Sequence, residues 1–171
     1  MWKAVSAIKA QTAGKVCFVL HQVPQPWHPQ GTYVHEAALA VRSVDEAKYE
    51  DYVTAVFTAF DGGKFKDDDT WNKTRQQVYD ELLDMAKAVG VDRDAVKAKL
   101  AIKPEGGNCG NEMTQTIKWI VKHHRLRAVR TCCLLAPCLV GVTRLSAKSC
   151  TRPRRCHAHC VREWPGGRHC L

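Results

Sequence analysis

The chain has no apolar run of the length that a membrane span needs. Its apolar stretches end well short of the roughly 18 to 20 residues required to cross a bilayer. Its first residues, MWKAV, have neither the apolar stretch nor the small-residue cleavage site of a secretory signal. The sequence therefore predicts a soluble protein without a membrane partner, in the cytoplasm by default. With 45% apolar and 25% charged residues, the 171-residue chain has the composition of one globular domain.

Acidic residues are almost missing from the last quarter of the chain. Residues 127–171 contain nine Lys or Arg and one acid, Glu163, which gives this segment a charge of +8, and they contain no Tyr, Phe or Ile. Seven of the nine cysteines also lie there, whereas residues 1–126 carry a charge of only +1. We therefore divide the chain into a body, residues 1–126, and an unrelated Cys/Arg-rich tail, residues 127–171, that we expect to be disordered or aberrant.

One segment of the body has the composition of a buried strand. Residues 15–23, KVCFVLHQV, are apolar nearly throughout, and Pro24 follows them. Such a run predicts a strand that is covered on both faces, which needs neighbouring strands at its edges. The body offers no other clear strand, so the sequence predicts an α/β fold whose sheet is incomplete.

The rest of the body has the apolar spacing of amphipathic helices. We predict helices over about residues 2–13, around the apolar stripes of residues 34–41 and 49–60, and over a longer segment that carries apolar positions between residues 71 and 89. Asp92 is placed to cap a short helix, and a last helix runs from about residue 113 to 125. The NKT sequence at residues 72–74 is a possible glycosylation sequon, which we interpret as a helix start.

Several motifs in the body are similar to those of a known family. These are HQVPQPWHP at residues 21–29, HEAALA at 35–40, WNKTR at 71–75, and the segment from GN at 110–111 to KW at 118–119. Over about residues 2–126 the body resembles a eukaryotic subfamily of the DsbA-like thioredoxin-fold proteins. The resemblance implies an incomplete thioredoxin-like α/β fold, truncated at its N-terminus, with a helical insert over about residues 32–107.

The resemblance also implies a relation to thiol-disulfide oxidoreductases. The Cys-x-x-Cys of that family occurs nowhere in this sequence, and the tail stands where the family has its cis-proline loop. We therefore assign no catalytic residue and expect a protein that is inactive in disulfide exchange. The alternative is a non-catalytic module that binds a protein or peptide in the family's groove, which would be lined by His21, Gln22, Trp27, His28 and His35.

Two cysteines lie in the body, and they differ in expected reactivity. Cys17 falls inside the predicted strand, where a buried thiol is inert. Cys109 precedes a predicted helix, and the positive end of a helix lowers the pKa of a nearby thiol. Cys109 is therefore the candidate reactive thiol, and protein thiols or a peptide are the candidate partners.

We predict no metal and no cofactor, although two groups of residues could supply metal ligands. His21, His28, His35 and Glu36 offer imidazole and carboxylate groups, but their spacing is not that of a known metal motif. The tail segment CHAHC at residues 156–160 could bind zinc, and its arginines could bind nucleic acid. Because the tail lacks interleaved aromatics for stacking on bases, we do not expect a nucleic-acid partner.

Overall fold

The computed structural model of the chain describes residues 2–12, 20–103, 105 and 107–126. Regular structure in these ranges consists of α-helices and one 3-10 helix, Glu46–Lys48. The α-helices are α1 (Trp2–Gln11), α2 (Pro29–Val44), α3 (Tyr49–Asp61), α4 (Asp67–Thr70), α5 (Arg75–Ala88), α6 (Arg93–Leu100) and α7 (Glu112–Leu126). The helices predicted from apolar spacing are confirmed, with ends that shift by a few residues.

The chain divides into two compact units. Helix α1 has ten residues, and from Lys3 onward it belongs to the first unit. The second unit begins at Leu20 and contains α2 to α7. The large hydrophobic core is built from residues of this second unit.

Helix α2 lies at the centre of the second unit and packs against α3, α5, α6 and α7. It starts with Pro29, whose fixed φ angle suits the first turn of a helix and whose missing N–H costs nothing there. Small side chains at Ala37, Ala38 and Ala40 are buried, so neighbouring helices can approach α2 closely. The core around it includes the fully buried Tyr52 of α3 and Leu82 of α5.

The starts of α5 and α6 are fixed by side-chain caps. Thr74 and Gln77 form a reciprocal capping box at the start of α5, which confirms that residues 72–74 lead into a helix. The Asp92 carboxylate accepts hydrogen bonds from the backbone N–H groups of Asp94 and Ala95, so the predicted cap of α6 is also confirmed.

The acidic run at residues 67–69 forms a separate short helix, α4, and the long helix predicted between residues 71 and 89 begins only at Arg75. The turn before α4 contains Phe65, a non-glycine residue with a φ of 61°. The Phe65 side chain is fully buried, and its N–H donates to Oδ2 of Asp69 at 2.9 Å. Burial of the side chain and this hydrogen bond offset the strain of the positive φ and fix the turn that precedes α4.

The predicted α/β fold class is wrong for the residues that the structure describes. They contain no β-strand, and an incomplete thioredoxin-like fold is not supported. At the end of the predicted strand, residues 20–23 are irregular apart from a single bridge position at His21. Gln22 is held there by the side chains of His35 and Tyr49, on α2 and α3, so helices bury this part of the apolar run.

Residues 15–19 of the predicted strand, with Cys17, and the whole tail from residue 127 lie outside the described residues. Among the helices that the structure does describe, none has the length and apolar content to cross a membrane.

Candidate functional site

The five residues predicted to line one groove are distributed over three separate arrangements. Gln22 and His35 are hydrogen bonded to each other, His21 contacts His124, and His28 contacts Asp67. Trp27 is exposed beside His28.

Gln22 and His35 form a buried polar chain that continues to α3. Nδ1 of His35 donates to Oε1 of Gln22, and Nε2 of Gln22 donates to the Tyr49 hydroxyl at 2.6 Å. Burial lowers the pKa of His35 to about 4, so its ring is neutral at pH 7. Burial also raises the pKa of Tyr49, which keeps its hydroxyl protonated.

A shallow depression of about 20 Å³ lies next to this polar chain. Its lining is apolar except for two side chains, Gln22 and His35. The apolar lining residues come from α2 and α3, and they are Val34, Ala38, Val53, Val56 and Phe57. This space is about that of one water molecule and far below the roughly 300 Å³ or more of a cofactor site.

A second polar arrangement fixes the loop before α2 against α4. Oδ1 of Asp67 accepts hydrogen bonds from Nε2 of Gln30 at 2.6 Å and from Nδ1 of His28 at 3.0 Å. The hydrogen bonds from Gln30 and His28 lower the pKa of the Asp67 carboxyl. The carboxylate therefore joins the first turn of α2 to the first residue of α4.

Two tryptophans are exposed on either side of this junction, and we call them the Trp27–Trp71 surface. Trp27 directly precedes His28, and its side chain is 62% exposed. Trp71 follows α4, its N–H donates to the Asp67 carbonyl at 3.0 Å, and its side chain is 80% exposed. Both indoles thus belong to segments that the Asp67 carboxylate connects.

Three histidines form a further cluster. Nδ1 of His21 lies 2.7 Å from Nε2 of the buried His124, and the His123 ring is centred 5.2 Å from the His124 ring. Within the described part of the chain, no three His, Cys, Asp or Glu side chains are grouped so that they could hold a metal ion. The His35 and Glu36 side chains that we considered as ligands have other partners.

The most connected polar group is Glu36 of α2, which is only 2% exposed. Its Oε2 accepts hydrogen bonds from the Tyr79 hydroxyl, from a terminal guanidinium nitrogen of Arg75 at 3.1 Å and from Nδ2 of Asn111 at 2.9 Å. Its Oε1 accepts from the Thr114 hydroxyl at 2.9 Å. One carboxylate therefore connects α2 with α5, with α7 and with the residue that precedes α7.

The Arg75 guanidinium, which pairs with the Glu36 carboxylate, also contacts two aromatic rings. The Arg75 guanidinium carbon lies 5.1 Å from the centres of the Tyr33 and Tyr79 rings, a cation–π distance to both. Burial and the bond to Glu36 raise the pKa of Tyr79, so its hydroxyl stays protonated and donates. With four donors on its two oxygens, Glu36 is suited to hold helices together and not to accept a proton from a substrate.

Sequence reasoning did not identify this cluster, although its members were present in the motifs. Glu36, Arg75 and Asn111 each belong to one of the stretches on which the family resemblance was based. The available signal was an acidic residue inside the apolar stripe of α2, because a charge at a buried position requires partners.

Cys109, the candidate reactive thiol, is half-buried and lies three residues before the start of α7. The first-turn N–H groups of Met113 and Thr114 donate to Oδ1 of Asn111 at 3.0 and 3.1 Å. These two donors of the helix end are therefore occupied by Asn111, which leaves them less able to stabilise a Cys109 thiolate.

No protein-family model, no curated protein and no solved structure matches this chain.

Proposed function

We propose that the helical body is a non-catalytic module that binds a protein or peptide segment at the Trp27–Trp71 surface. The observation that carries this proposal is the exposure of two indoles, 62% and 80%, on segments that are fixed to each other through Asp67. Tryptophan is among the residues most enriched at the energetic centres of interfaces, because it buries a large area at a small entropic cost.

The hydrogen bonds at Asp67 favour a surface that is already ordered before a partner binds. Three hydrogen bonds meet at Asp67: those from His28 and Gln30 to its carboxylate and that from the Trp71 N–H to its carbonyl. A partner would find the backbone on both sides already fixed, so less ordering entropy would be lost on binding.

The chemistry of the buried groups favours binding over catalysis. Glu36 already accepts four hydrogen bonds, and the neutral His35 ring bonds to Gln22. Among the residues that the structure describes, Cys109 is the one cysteine, so none of its described neighbours can resolve a mixed disulfide. We therefore expect no turnover in an insulin-reduction assay.

The test is a selection of random peptides, displayed on phage, against the immobilised full chain. Synthetic copies of the selected peptides are then titrated against the unchanged chain and against the variants Trp27→Ser and Trp71→Ser. The matched control is Trp119→Ser, which removes an indole that is 49% exposed on α7. We expect the first two variants to weaken binding about tenfold or more, in keeping with a loss of 1.4 kcal/mol or more.

Two outcomes would reject the proposal. One is a selection that yields no peptide above background. The other is a set of peptides that bind Trp27→Ser and Trp71→Ser as tightly as they bind the unchanged chain.

A further inference from the structure

Among the residues described, neither a lysine nor an arginine contacts the two carboxylates of the Trp27–Trp71 surface, Asp67 and Asp68. Asp67 accepts hydrogen bonds from His28 and Gln30, and neither Lys nor Arg contacts it among the residues described. Asp68 is exposed and makes no hydrogen bond or ion pair within the described part of the chain. The surface therefore combines two exposed indoles with the Asp68 carboxylate, which has no partner among the described residues, and with Asp67, which is paired to His28.

The lysines nearest in sequence are directed to other groups. Nζ of Lys73 lies 2.9 Å from Asp69 and 2.7 Å from Glu81, so its charge is already balanced. Nζ of Lys66 lies 5.5 Å from the centre of the Phe60 ring. Nζ of Lys64 contacts Glu81 at 3.6 Å.

The same chain contains a complete arrangement of this kind around Arg75. There, the guanidinium carbon lies 5.1 Å from the centres of both the Tyr33 and Tyr79 rings, and the group bonds to the Glu36 carboxylate. At the Trp27–Trp71 surface, Trp71 follows Asp68 by three positions in helical backbone, so an indole and a carboxylate are neighbours on one helix face, and no guanidinium of the described residues contacts either. Indole is the aromatic group that attracts cations most strongly.

We infer that the partner bound at the Trp27–Trp71 surface presents an arginine-containing peptide segment. This inference rests on the proposed binding function and names the chemistry of the partner. The guanidinium would stack on an indole and donate hydrogen bonds to Asp68, with Asp67 adding negative charge. Arginine is favoured over lysine because its planar group is less strongly hydrated and can stack and donate at the same time.

The test uses a fluorescein-labelled synthetic peptide of alternating glycine and arginine, titrated with the full chain and followed by fluorescence anisotropy. The matched probe has citrulline in place of arginine, which keeps the shape and removes the charge. We expect the arginine peptide to bind about tenfold or more tightly than the citrulline peptide. Binding should weaken when the salt concentration is raised from 50 to 300 mM, because exposed charges are screened.

Variants then locate the binding. We expect Trp71→Ser and Asp68→Asn each to weaken binding of the arginine peptide by about three- to tenfold, the range of one cation–π contact or one exposed ion pair. Asp94→Asn is the matched control, because it removes an exposed acid on α6. Unchanged binding in Trp71→Ser and Asp68→Asn, or equal binding of both probes, overturns the inference.

The chain's own basic residues are tested as a competing occupant. The same titration is run with Arg152, Arg154 and Arg155 replaced by Ser. An unchanged affinity supports a separate partner, whereas a tighter affinity means that these arginines compete and overturns that assignment.

The outcomes separate this inference from the proposed function. Selected phage peptides that depend on Trp27 and Trp71 but contain no basic residue would leave the binding function in place and reject the arginine partner. If binding of the selected peptides and binding of the arginine probe are both independent of these tryptophans, both proposals fail.

Discussion

Asn111 and Glu36 are 75 positions apart in the chain, and Nδ2 of Asn111 donates a hydrogen bond of 2.9 Å to Oε2 of Glu36. The same side chain accepts the Met113 N–H through its Oδ1 at 3.0 Å. One amide therefore caps the start of α7 and attaches that helix end to α2. The position of α7 depends on a charge buried in the core of the second unit.

Replacing the buried charge tests this dependence. We expect Glu36→Gln to lower the free energy of unfolding by about 2 to 4 kcal/mol, because four donors would face an amide that has only one acceptor oxygen. Since the Arg75 side chain is 40% exposed, water can partly solvate it, which argues against a larger loss. Urea denaturation followed by circular dichroism measures the change.

The matched control is Glu46→Gln. Glu46 also pairs with an arginine, at 3.2 Å from Arg42, but its side chain is 54% exposed. A surface pair contributes no more than about 1 kcal/mol. Equal destabilisation by the two substitutions would contradict a special role for the Glu36 carboxylate.

The helices could be predicted from the sequence because their signals are local. The apolar spacing of residues 49–60 and the cap at Asp92 each act within a few residues, and the structure has α3 and α6 there. The break between α4 and α5 was missed. The helical hydrogen bonding stops at the turn of residues 71–73, where the Lys73 N–H donates to the Thr70 carbonyl, and begins again at the Thr74 cap, a change that apolar spacing does not report.

The fold class and the Glu36 cluster could not be predicted, for related reasons. An apolar run such as residues 15–23 shows that side chains are buried but not whether strands or helices cover them. At Gln22 the cover comes from α2 and α3. The Glu36 cluster joins residues from positions 36 to 114, and pairing over such separations is not encoded in any local spacing.

The backbone at Gly110 lies very close to the Thr114 side chain, and a substitution at this glycine tests that contact. A Cβ at this position would lie 2.3 Å from the Thr114 hydroxyl oxygen, and the φ angle is +77°. Gly110→Ala would therefore displace the hydroxyl that donates to Glu36, in addition to straining the backbone. We expect a loss of about 2 to 4 kcal/mol in the free energy of unfolding, measured by urea denaturation.

Gly90→Ala is the matched control for the backbone strain alone. Gly90 has a similar φ of +87°, but a Cβ there meets no atom within 4 Å. We expect this variant to lose only about 1 to 2 kcal/mol. If Gly110→Ala were no more costly than Gly90→Ala, the close approach to Thr114 would be without energetic consequence.

His35 makes the stability of the second unit depend on pH. Burial lowers its pKa to about 4 in the folded chain, whereas an unfolded histidine has a pKa of about 6.5. Above pH 6.5 both states are neutral, and the folded state has its full stability. As the pH falls from 6.5 towards 4, only the unfolded state takes up this proton, so stability is lost, by about 2 kcal/mol at pH 4.5.

The measurement is the free energy of unfolding in urea at pH 7.5 and at pH 4.5 for the unchanged chain and for His35→Gln. A glutamine at this position can still donate to Gln22 but cannot take up a proton, so the variant should lose about 2 kcal/mol less between the two pH values. His123→Gln, at an exposed histidine of α7, is the control that removes an imidazole from outside the core. If His35→Gln kept the pH dependence of the unchanged chain, the protons taken up on acid unfolding would belong to other groups, such as the Asp67 and Asp69 carboxylates, whose pKa values are also lowered in the folded chain.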